Sequence, residues 1–533
     1  MGTNKQGSLE RMKSFKFFAL AGTICCAALG TLLFMTHSRK CVRMPKTQLV
    51  LNIGEKPQEY NPHLIRDLHS GLVSIHLYEG LFRMGENGNL LPGLAKQVAF
   101  SKDGLHCRIK LRRSFWSDGT PLTAHDIVRS WRSVISPSGK RSPFASHFYF
   151  FRGVDEIDPL HPDWSKVALY AQSEDTLCFS LKHPVPHFLR LLALPVFYPV
   201  HPDGQADATI TNGPFRLKKS QMGQYLLWEK NPFYWDSSSV SFQEVKCLFV
   251  KHDRVQMTLF ERGDLDFIGI CLLPFPQDSA ETRATFQERA MASIDFIVTN
   301  TVSKLFRSQK IRQALSLALD RNYLAQSSYQ HLIPAYRYLP PVLSYGTTVA
   351  SLKESPSLAQ QFLQRGLEEV GCTCDDFAQV RLLCHPSQAS LVKAIQGQWL
   401  KNLGIRVKAK LVSFNSFCSL LENGDFDFAV SSLVSSYADP YALLEIFRDP
   451  VGLNNFSRWS PPVFRHLLNE GLALKKKERL CQIQKLEKII LSHLPVIPLF
   501  FGNRTYAMQE GLHGVLVNEL FSIDFSRASW KGS

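Results

Sequence analysis

The pattern of apolar and polar positions predicts short strands and helices that alternate along most of the chain. Residues 105–111 alternate polar and apolar side chains, which is typical of a strand with one buried face. Apolar residues recur at helical spacing over 70–81. Thr123 and Asp126 have the spacing of a capping box, which predicts a helix running towards Val134. This alternation, without internal repeats, indicates an α/β protein with several mixed sheets.

The same reasoning places further elements along the chain. Additional strands are predicted at 49–53, 221–230, 405–411, 426–433 and 496–501. Additional helices are predicted at 306–319, at 387–403 with Ser387 as its cap and Gly404 after its end, and at 479–493. The stretch 426–433 is apolar on both faces, so we expect it in the interior of a sheet.

Length and composition set the scale of the fold. The chain has 533 residues, of which 45% are hydrophobic and 20% are charged, as in ordinary globular proteins. A chain of this length exceeds what one hydrophobic core usually supports. We therefore expect two or three lobes.

The net charge of +15 is concentrated at the N-terminus. Residues 1–46 contain eight basic side chains and one acidic side chain, so they account for +7. The rest of the chain has no run of Lys and Arg with interleaved aromatic residues, which a nucleic-acid groove needs. Nucleic acid is therefore not an expected partner.

The N-terminal segment predicts export from the cytoplasm. Basic residues at 12–16 precede an uncharged, mostly apolar stretch at 17–35, which is long enough to cross a bilayer core as a helix. The residues before Cys25, Cys26 and Cys41 do not fit a lipoprotein site. A cleaved signal and a retained membrane anchor both remain open.

Catalytic and metal-binding motifs are scarce. The sequence has no phosphate-binding loop of the Walker type, no His-Glu-x-x-His pair and no Gly-x-Ser-x-Gly elbow. Cys372, Cys374, Cys384 and His385 form the single cysteine cluster, whose spacing favours ordinary thiols over a metal site. We therefore expect a protein that is not an enzyme and has no cofactor and no bound metal.

A resemblance to a known family rests on several phrases in a fixed order. The strongest is residues 111–128, where a strand ends in a Trp-Ser-Asp-Gly-Thr-Pro turn and a capped helix follows. Other matching phrases lie at 91–95, 211–215, 229–235, 312–321 and 494–499. Together they resemble the dipeptide/oligopeptide-binding family of bacterial ABC transporter solute-binding proteins over roughly residues 47–530. Ser114 stands where that family usually has glycine.

This resemblance implies a fold, a partner and a location. The expected fold is a two-lobed periplasmic-binding-protein fold of type II with mixed sheets and an extra third domain. Lobe I would comprise 47–79, 205–295 and 503–533, the extra domain 80–204 and lobe III 296–502, after a signal or anchor segment at 1–46. A monomer would enclose an oligopeptide between the lobes and deliver it to the membrane subunits of an ABC permease. It would lie outside the cytoplasm, tethered to the inner membrane or released by cleavage.

The resemblance also implies where the peptide binds. An extended peptide would pair its backbone with strand edges, and in peptide-binding members a carboxylate four residues before a proline binds the ligand's ammonium group. Ser436 occupies that position before Pro440, and Leu433 replaces a nearby tryptophan. His147 replaces a tyrosine of the ligand site. The expected ligand-binding residues are Phe144, His147, Ser435, Ser436, Tyr437, Asp439 and Asp67.

The serine at position 436 leaves two readings open. The ligand could be a peptide whose N-terminus is blocked, substituted or held elsewhere. Alternatively, a neighbouring acid such as Asp439 or Asp67 could replace the missing carboxylate. Capture of a metal or haem on the same fold, a role as a surface adhesin and an enzymatic role are the alternative functions.

Overall fold

The computed structural model describes residues 47–136, 142, 144–158, 161–204, 208–270, 286–326, 332–346, 353–451, 455–520 and 522–531. The predicted signal or anchor segment at 1–46 lies outside the described residues. Among the helices that are described, none combines the length and the apolar character needed to cross a bilayer.

The described strands and helices alternate as the sequence pattern predicts. The strands are β1 (Gln48–Asn52), β2 (Phe82–Met84), β3 (Leu90–Pro92), β4 (Ala95–Phe100), β5 (His106–Leu111), β6 (Ser114–Phe115), β7 (Pro121–Leu122), β8 (Leu169–Ser173), β9 (Thr176–Ser180), β10 (Phe215–Gln221), β11 (Tyr225–Lys230), β12 (Glu244–Leu248), β13 (Phe267–Ile268), β14 (Gln287–Thr299), β15 (Ile333–Pro334), β16 (Arg381–Cys384), β17 (Lys408–Leu411), β18 (Phe428–Val434), β19 (Val496–Met508), β20 (Leu512–His513), β21 (Leu516–Val517), β22 (Ile523–Asp524) and β23 (Ser529–Trp530). The helices are α1 (Leu68–Leu77), α2 (Ala124–Ile135), α3 (Phe188–Leu191), α4 (Asp253–Glu261), α5 (Gln309–Leu317), α6 (Arg321–Gln326), α7 (Pro356–Val370), α8 (Ala389–Leu403), α9 (Phe414–Asn423), α10 (Tyr441–Leu444), α11 (Pro462–Ala473) and α12 (Lys476–His493).

Two long strands join the two halves of the largest sheet. Its strand order is β10-β11-β12-β1-β13-β19-β14-β18-β16-β17, and β15 also pairs with β19. Strands β14 and β19 have 13 residues each and pair with one another in antiparallel fashion. The far end of β19 pairs with β13, whereas β14 pairs with β18. The two strands therefore connect the β10–β13 part of the sheet to the β16–β18 part.

The hydrophobic interior is divided into separate clusters around these strands. One cluster is built from residues between Leu81 and Phe197, together with Tyr437. A second combines β1, α1 and residues of 198–270 with the C-terminal residues up to Ala528. Two further clusters lie on residues 292–501. The lobe boundaries given above stay predictions.

The turn between β6 and α2 follows the local rules read from the sequence. Gly119 has a φ of 90°, which glycine adopts without strain. Asp118 accepts a hydrogen bond from the backbone N–H of Thr120 at 2.9 Å. The predicted capping box is confirmed, because the Thr123 backbone N–H donates to Asp126 at 2.8 Å. The turn thereby fixes Trp116, which is buried in the first cluster.

Several predicted boundaries differ from the structure. The predicted strand at 221–230 contains a turn, because β10 ends at Gln221 and β11 begins at Tyr225. Ser387 does not cap α8: the helix begins at Ala389, and the preceding residues 386–388 form a 3-10 turn capped by His385. The strand predicted at 496–501 continues to Met508, because it pairs with both β14 and β13.

Candidate functional site

The segment after β18 is a tight loop held by its own hydrogen bonds. The Ser435 backbone N–H donates to the Ala292 carbonyl of β14 at 2.8 Å, and the Ser435 hydroxyl donates to the Tyr437 carbonyl at 2.7 Å. The Asp439 N–H donates to the same carbonyl at 2.8 Å. Ser435 is buried. Its side chain therefore shapes the loop and turns Ser436 and Tyr437 away from β14.

Tyr437 inserts into the hydrophobic cluster of residues 81–197. Its ring is 1% exposed and stacks on His187, with ring centroids 4.9 Å apart. The Tyr437 hydroxyl donates to Glu445 at 3.2 Å. Burial raises the pKa of Tyr437, and it raises the pKa of Glu445 although the neighbouring Arg448 acts in the opposite direction. This loop is thus anchored in a core whose other buried residues lie between Leu81 and Phe197, and Ala442 packs against the same core.

Asp439 is fully engaged inside the protein. Its two carboxylate oxygens accept hydrogen bonds from Arg479 at 2.6 and 3.1 Å, and Arg190 approaches to 3.4 Å. It also accepts a bond from the Tyr441 N–H at 3.0 Å. The Asp439 side chain is 2% exposed. These contacts make it a structural carboxylate, and it does not line either of the two cavities that Ser436 helps to form.

The larger of these cavities, called cavity A here, has a volume of about 420 Å³. It lies between residues 144–150 and residues 433–449, with Lys182 and His183 at its side. Four predicted site residues line it together: Phe144, His147, Ser436 and Tyr437. Burial lowers the pKa of His147 to about 4, so the ring is neutral at neutral pH.

The smaller cavity, cavity B, has a volume of about 190 Å³. It lies between α1, residues 193–198 and residues 518–524, and Asp67 and Asp524 line it. Ser436 lines cavity A and cavity B alike. The two cavities therefore meet at Ser436, which is the position where the family resemblance leads us to expect a carboxylate.

The charge of cavity B is set by Asp67, Asp524 and Arg83. Burial raises the pKa of Asp67, but hydrogen bonds from His69 and Ser70 outweigh it, so the net pKa is lowered. Asp67 also caps α1 by accepting a bond from the Ser70 N–H at 2.9 Å. Asp524 lies 3.6 Å from Arg83. Asp67 is therefore the carboxylate of cavity B without a nearby arginine among the described contacts.

Sequence reasoning missed much of the wall of cavity A. Tyr149, Lys182, Glu445 and Arg448 line it as well, and His187 lies behind Tyr437. These residues come from three separate segments that meet only in the folded chain. Only Tyr149 could have been found from the sequence, because it lies two residues after His147. Both residues belong to the 3-10 helix at Ala145–Phe150.

Among the described residues, no group of three or more His, Cys, Asp or Glu side chains has the arrangement of a metal site. Within the cysteine cluster, Cys384 is buried whereas Cys374 is exposed, and both are free thiols. The geometry of the site therefore gives no support to the metal reading of this cluster.

Comparison with known proteins agrees with this geometry. The oligopeptide-binding protein OppA of Bacillus subtilis is 27% identical over 508 residues, which is 91% of this chain and 93% of that protein. The periplasmic murein peptide-binding protein MppA of Escherichia coli is 25% identical over 541 residues, covering 95% and 98%.

Solved structures show the same fold. The crystal structure of Haemophilus influenzae OppA in complex with RPPGFSPFR matches with a TM-score of 0.80 at 21% identity, over 91% of this chain and 99% of that one. This likeness confirms the predicted α/β two-lobed fold class. A family model described as "Bacterial extracellular solute-binding proteins, family 5 Middle" matches residues 89–455. That match spans more than half of the chain, so the protein belongs to family 5 of the bacterial extracellular solute-binding proteins.

Proposed function

We propose that this protein captures oligopeptides outside the cytoplasm and delivers them, chemically unchanged, to an ABC-type peptide permease. The observation that carries the proposal is the meeting of cavities A and B at Ser436, beside the free edge of the second half of β18, whose described pairings after Ala429 are with β14 and not with β16. An extended peptide could pair its backbone with that edge while neighbouring side chains enter the two cavities. Relatives over nearly the full length are named for peptide binding.

The ligand contacts in this proposal come from both cavities. Ser436 lies at the peptide backbone, Phe144, His147 and Tyr437 face it from cavity A, and Asp67 faces it from cavity B. Ser435 and Asp439 act indirectly by holding the loop, since their side chains bond within the protein.

Asp67 is the residue that we propose as a replacement for the missing carboxylate. It shares cavity B with Ser436, and its lowered pKa keeps it ionised at neutral pH. A buried ammonium group needs such a partner, because an unpaired buried charge is costly. Asp439 is a poorer choice because Arg479 already occupies both of its oxygens.

The charge of Asp67 can be removed without removing its structural role. Asparagine caps helices about as well as aspartate does, so Asp67→Asn keeps the start of α1. We expect about tenfold weaker binding of free-amine peptides and unchanged binding of their N-acetylated forms, measured by calorimetry. Equal affinities of the variant and the parent for free-amine peptides would contradict the role of Asp67.

Peptide capture itself is tested by ligand exchange and mass spectrometry. The full chain, extracted from membranes in mild detergent, is incubated with a mixed library of three- to nine-residue peptides, and the bound fraction is identified. Intact peptides are the expected result; cleaved peptides, or no retained peptide, would overturn the proposal. Ser436→Trp should block capture by filling the junction of the cavities, whereas Ser390→Trp, on the exposed surface of α8, should not.

The remaining features of the proposal concern where the protein lies in the cell and how it is attached there. The apolar stretch at 17–35 would tether the monomer to the inner membrane or direct its release. Fractionation of cells, followed by N-terminal sequencing of the mature chain, distinguishes a retained anchor from a cleaved signal.

A further inference from the structure

The wall of cavity A is rich in aromatic rings. Its lining includes six ring-bearing side chains: Phe144, His147, Tyr149, Phe150, His183 and Tyr437. Tyr149 is 58% exposed, so its ring is accessible to a ligand. A volume of about 420 Å³ is in the range of cavities that enclose small molecules. The cavity therefore has room for a large planar side chain.

These rings form a contact series that is already ordered. The Phe144 and His147 rings are stacked at 6.0 Å, and His147 meets Tyr437 edge to face at 6.4 Å. On the other side, Phe150 and His183 meet edge to face at 5.8 Å. Aromatic pairs prefer these offset and edge-to-face arrangements. A further ring could extend the series without rearranging it.

The charged residues around the cavity are already paired or in solvent. Lys182 lies 2.8 Å from Asp155, and Arg448 bonds to Glu445 at 3.0 Å and to Asn469 at 2.9 Å. Asp449 is exposed, so water screens its charge. No strong charge is left over to select a charged ligand group. The wall therefore favours a neutral side chain.

The His147 ring in the wall lacks a hydrogen-bond partner among the described residues. The structure gives no hydrogen bond to the His147 ring from any described residue, and its contacts are with Phe144 and Tyr437. Burial lowers the pKa of His147, so its neutral ring offers one N–H donor and one acceptor nitrogen. The phenol O–H of tyrosine or the indole N–H of tryptophan can bond to that acceptor.

We propose that cavity A is a side-chain subsite for an aromatic residue of the bound ligand, in which the His147 ring selects tyrosine and tryptophan over phenylalanine. This inference rests on the proposed peptide-binding function and names the peptides that the same site prefers. Stacking supplies affinity for any aromatic ring, and the unpartnered imidazole adds a hydrogen bond to rings with a polar edge.

The test uses pentaalanine and its variants with a single Trp, Tyr, Phe or Leu at each of the five positions. Calorimetry on the full chain in detergent measures the dissociation constant of each peptide. We expect one position at which Trp and Tyr bind at least tenfold more tightly than Ala. At that position Phe should be intermediate and Leu weaker than Phe.

Two variants separate stacking from hydrogen bonding. His147→Phe keeps a ring and removes the nitrogens, so the ratio of the Tyr-peptide affinity to the Phe-peptide affinity should fall to about one. Tyr149→Ser should weaken all aromatic peptides several-fold. Tyr170→Ser is its matched control, because Tyr170 is 54% exposed on β8 and does not line the cavity. Melting temperatures of the free variants check that each is folded.

The outcomes distinguish this inference from the proposed function. If pentaalanine and all variants bind equally at every position, peptide binding stands and the aromatic subsite is wrong. If His147→Phe keeps the preference for Tyr over Phe, the selecting role of His147 is wrong. If neither these peptides nor the mixed library binds, the proposed function fails, and the subsite fails with it.

Discussion

The ring of His187 lies parallel to the ring of Tyr437, with 4.9 Å between the centroids and 9° between the planes. His187 comes from the residues just before α3, and Tyr437 comes from the loop after β18. Both rings are almost completely buried, and neither nitrogen of His187 has a hydrogen-bond partner in the described structure. This stack is one of the contacts that fix the loop carrying Ser436 against the cluster of residues 81–197, together with Tyr437–His147 and Asp439–Arg190.

His187 should make the protein sensitive to acid. Burial lowers the pKa of His187 to about 3, although the Asp439 carboxylate acts in the opposite direction. In the unfolded chain the pKa of this histidine is about 6.5. Below that pH the side chain is protonated in the unfolded state but stays neutral in the folded state. The contribution of the neutral His187 to the free energy of unfolding is therefore complete above pH 6.5 and is lost as the pH falls towards 3. His187→Phe keeps the stack, and its free energy of unfolding should fall by about 2.5 kcal/mol less than that of the parent between pH 7 and pH 4.5.

Urea denaturation at the two pH values measures this difference. His63 and His147, whose pKa values burial also lowers to about 4, remain in both proteins and cancel in the comparison. Glu445, which lies 3.8 Å from His187, is also unchanged. Parallel loss of stability in the parent and the variant would show that His187 does not carry the acid sensitivity.

Ser436→Asp should restore a carboxylate at the point where cavities A and B meet. The new side chain would accept a charge-assisted hydrogen bond from a ligand ammonium group. We expect about tenfold tighter binding of peptides with a free N-terminus and no gain for N-acetylated peptides, measured by calorimetry. Ser436→Asn, which is nearly the same size but neutral, is the matched control. A gain for both peptide forms, or for neither, would contradict this reading of position 436.

The sequence predicted the fold better than the site, for a physical reason. The Thr123–Asp126 capping box depends on neighbours in the chain, and strand β5 depends on alternation along its own length. Both could therefore be read locally. Cavity A instead depends on residues 144–150, 182–183 and 433–449 meeting in space. Asp439 illustrates the limit, because nothing near it in the chain indicates that Arg479 pairs with it.

Asp439→Asn should destabilise the protein strongly. The substitution keeps an acceptor for the Tyr441 N–H but leaves the Arg479 guanidinium, which is 11% exposed, without a carboxylate. Breaking a buried pair in this way typically costs about 3–5 kcal/mol. The control is Asp175→Asn, whose ion pair with Lys110 is half exposed and screened by solvent, so its loss should shift the urea midpoint far less. Equal shifts of the urea midpoint in the two variants would show that burial does not strengthen the Asp439 pair.

Asp295 should give the opposite pH dependence from His187. It lies in β14, between Ser432 of β18 and Phe500 of β19 in the strand register. Burial raises the pKa of this carboxyl to about 7, whereas an unfolded aspartate titrates near 4. The folded state therefore holds a proton that the unfolded state releases, so its contribution to stability is present below about pH 4 and is lost as the pH rises through 7.

Asp295→Asn removes this titration while keeping the size of the side chain. The full shift would correspond to about 4 kcal/mol, but the partly exposed carboxylate keeps some hydration, so we expect about 2 kcal/mol. Urea denaturation at pH 5 and pH 8 measures the change in the free energy of unfolding. Between these pH values the variant should lose less stability than the parent by that amount. Asp203→Asn is the control, since the Asp203 side chain is 82% exposed and should show no gain. If the Asp295 variant and its parent change equally between the two pH values, then Asp295 ionises as freely in the folded chain as in the unfolded one, and the strands around it do not exclude its charge.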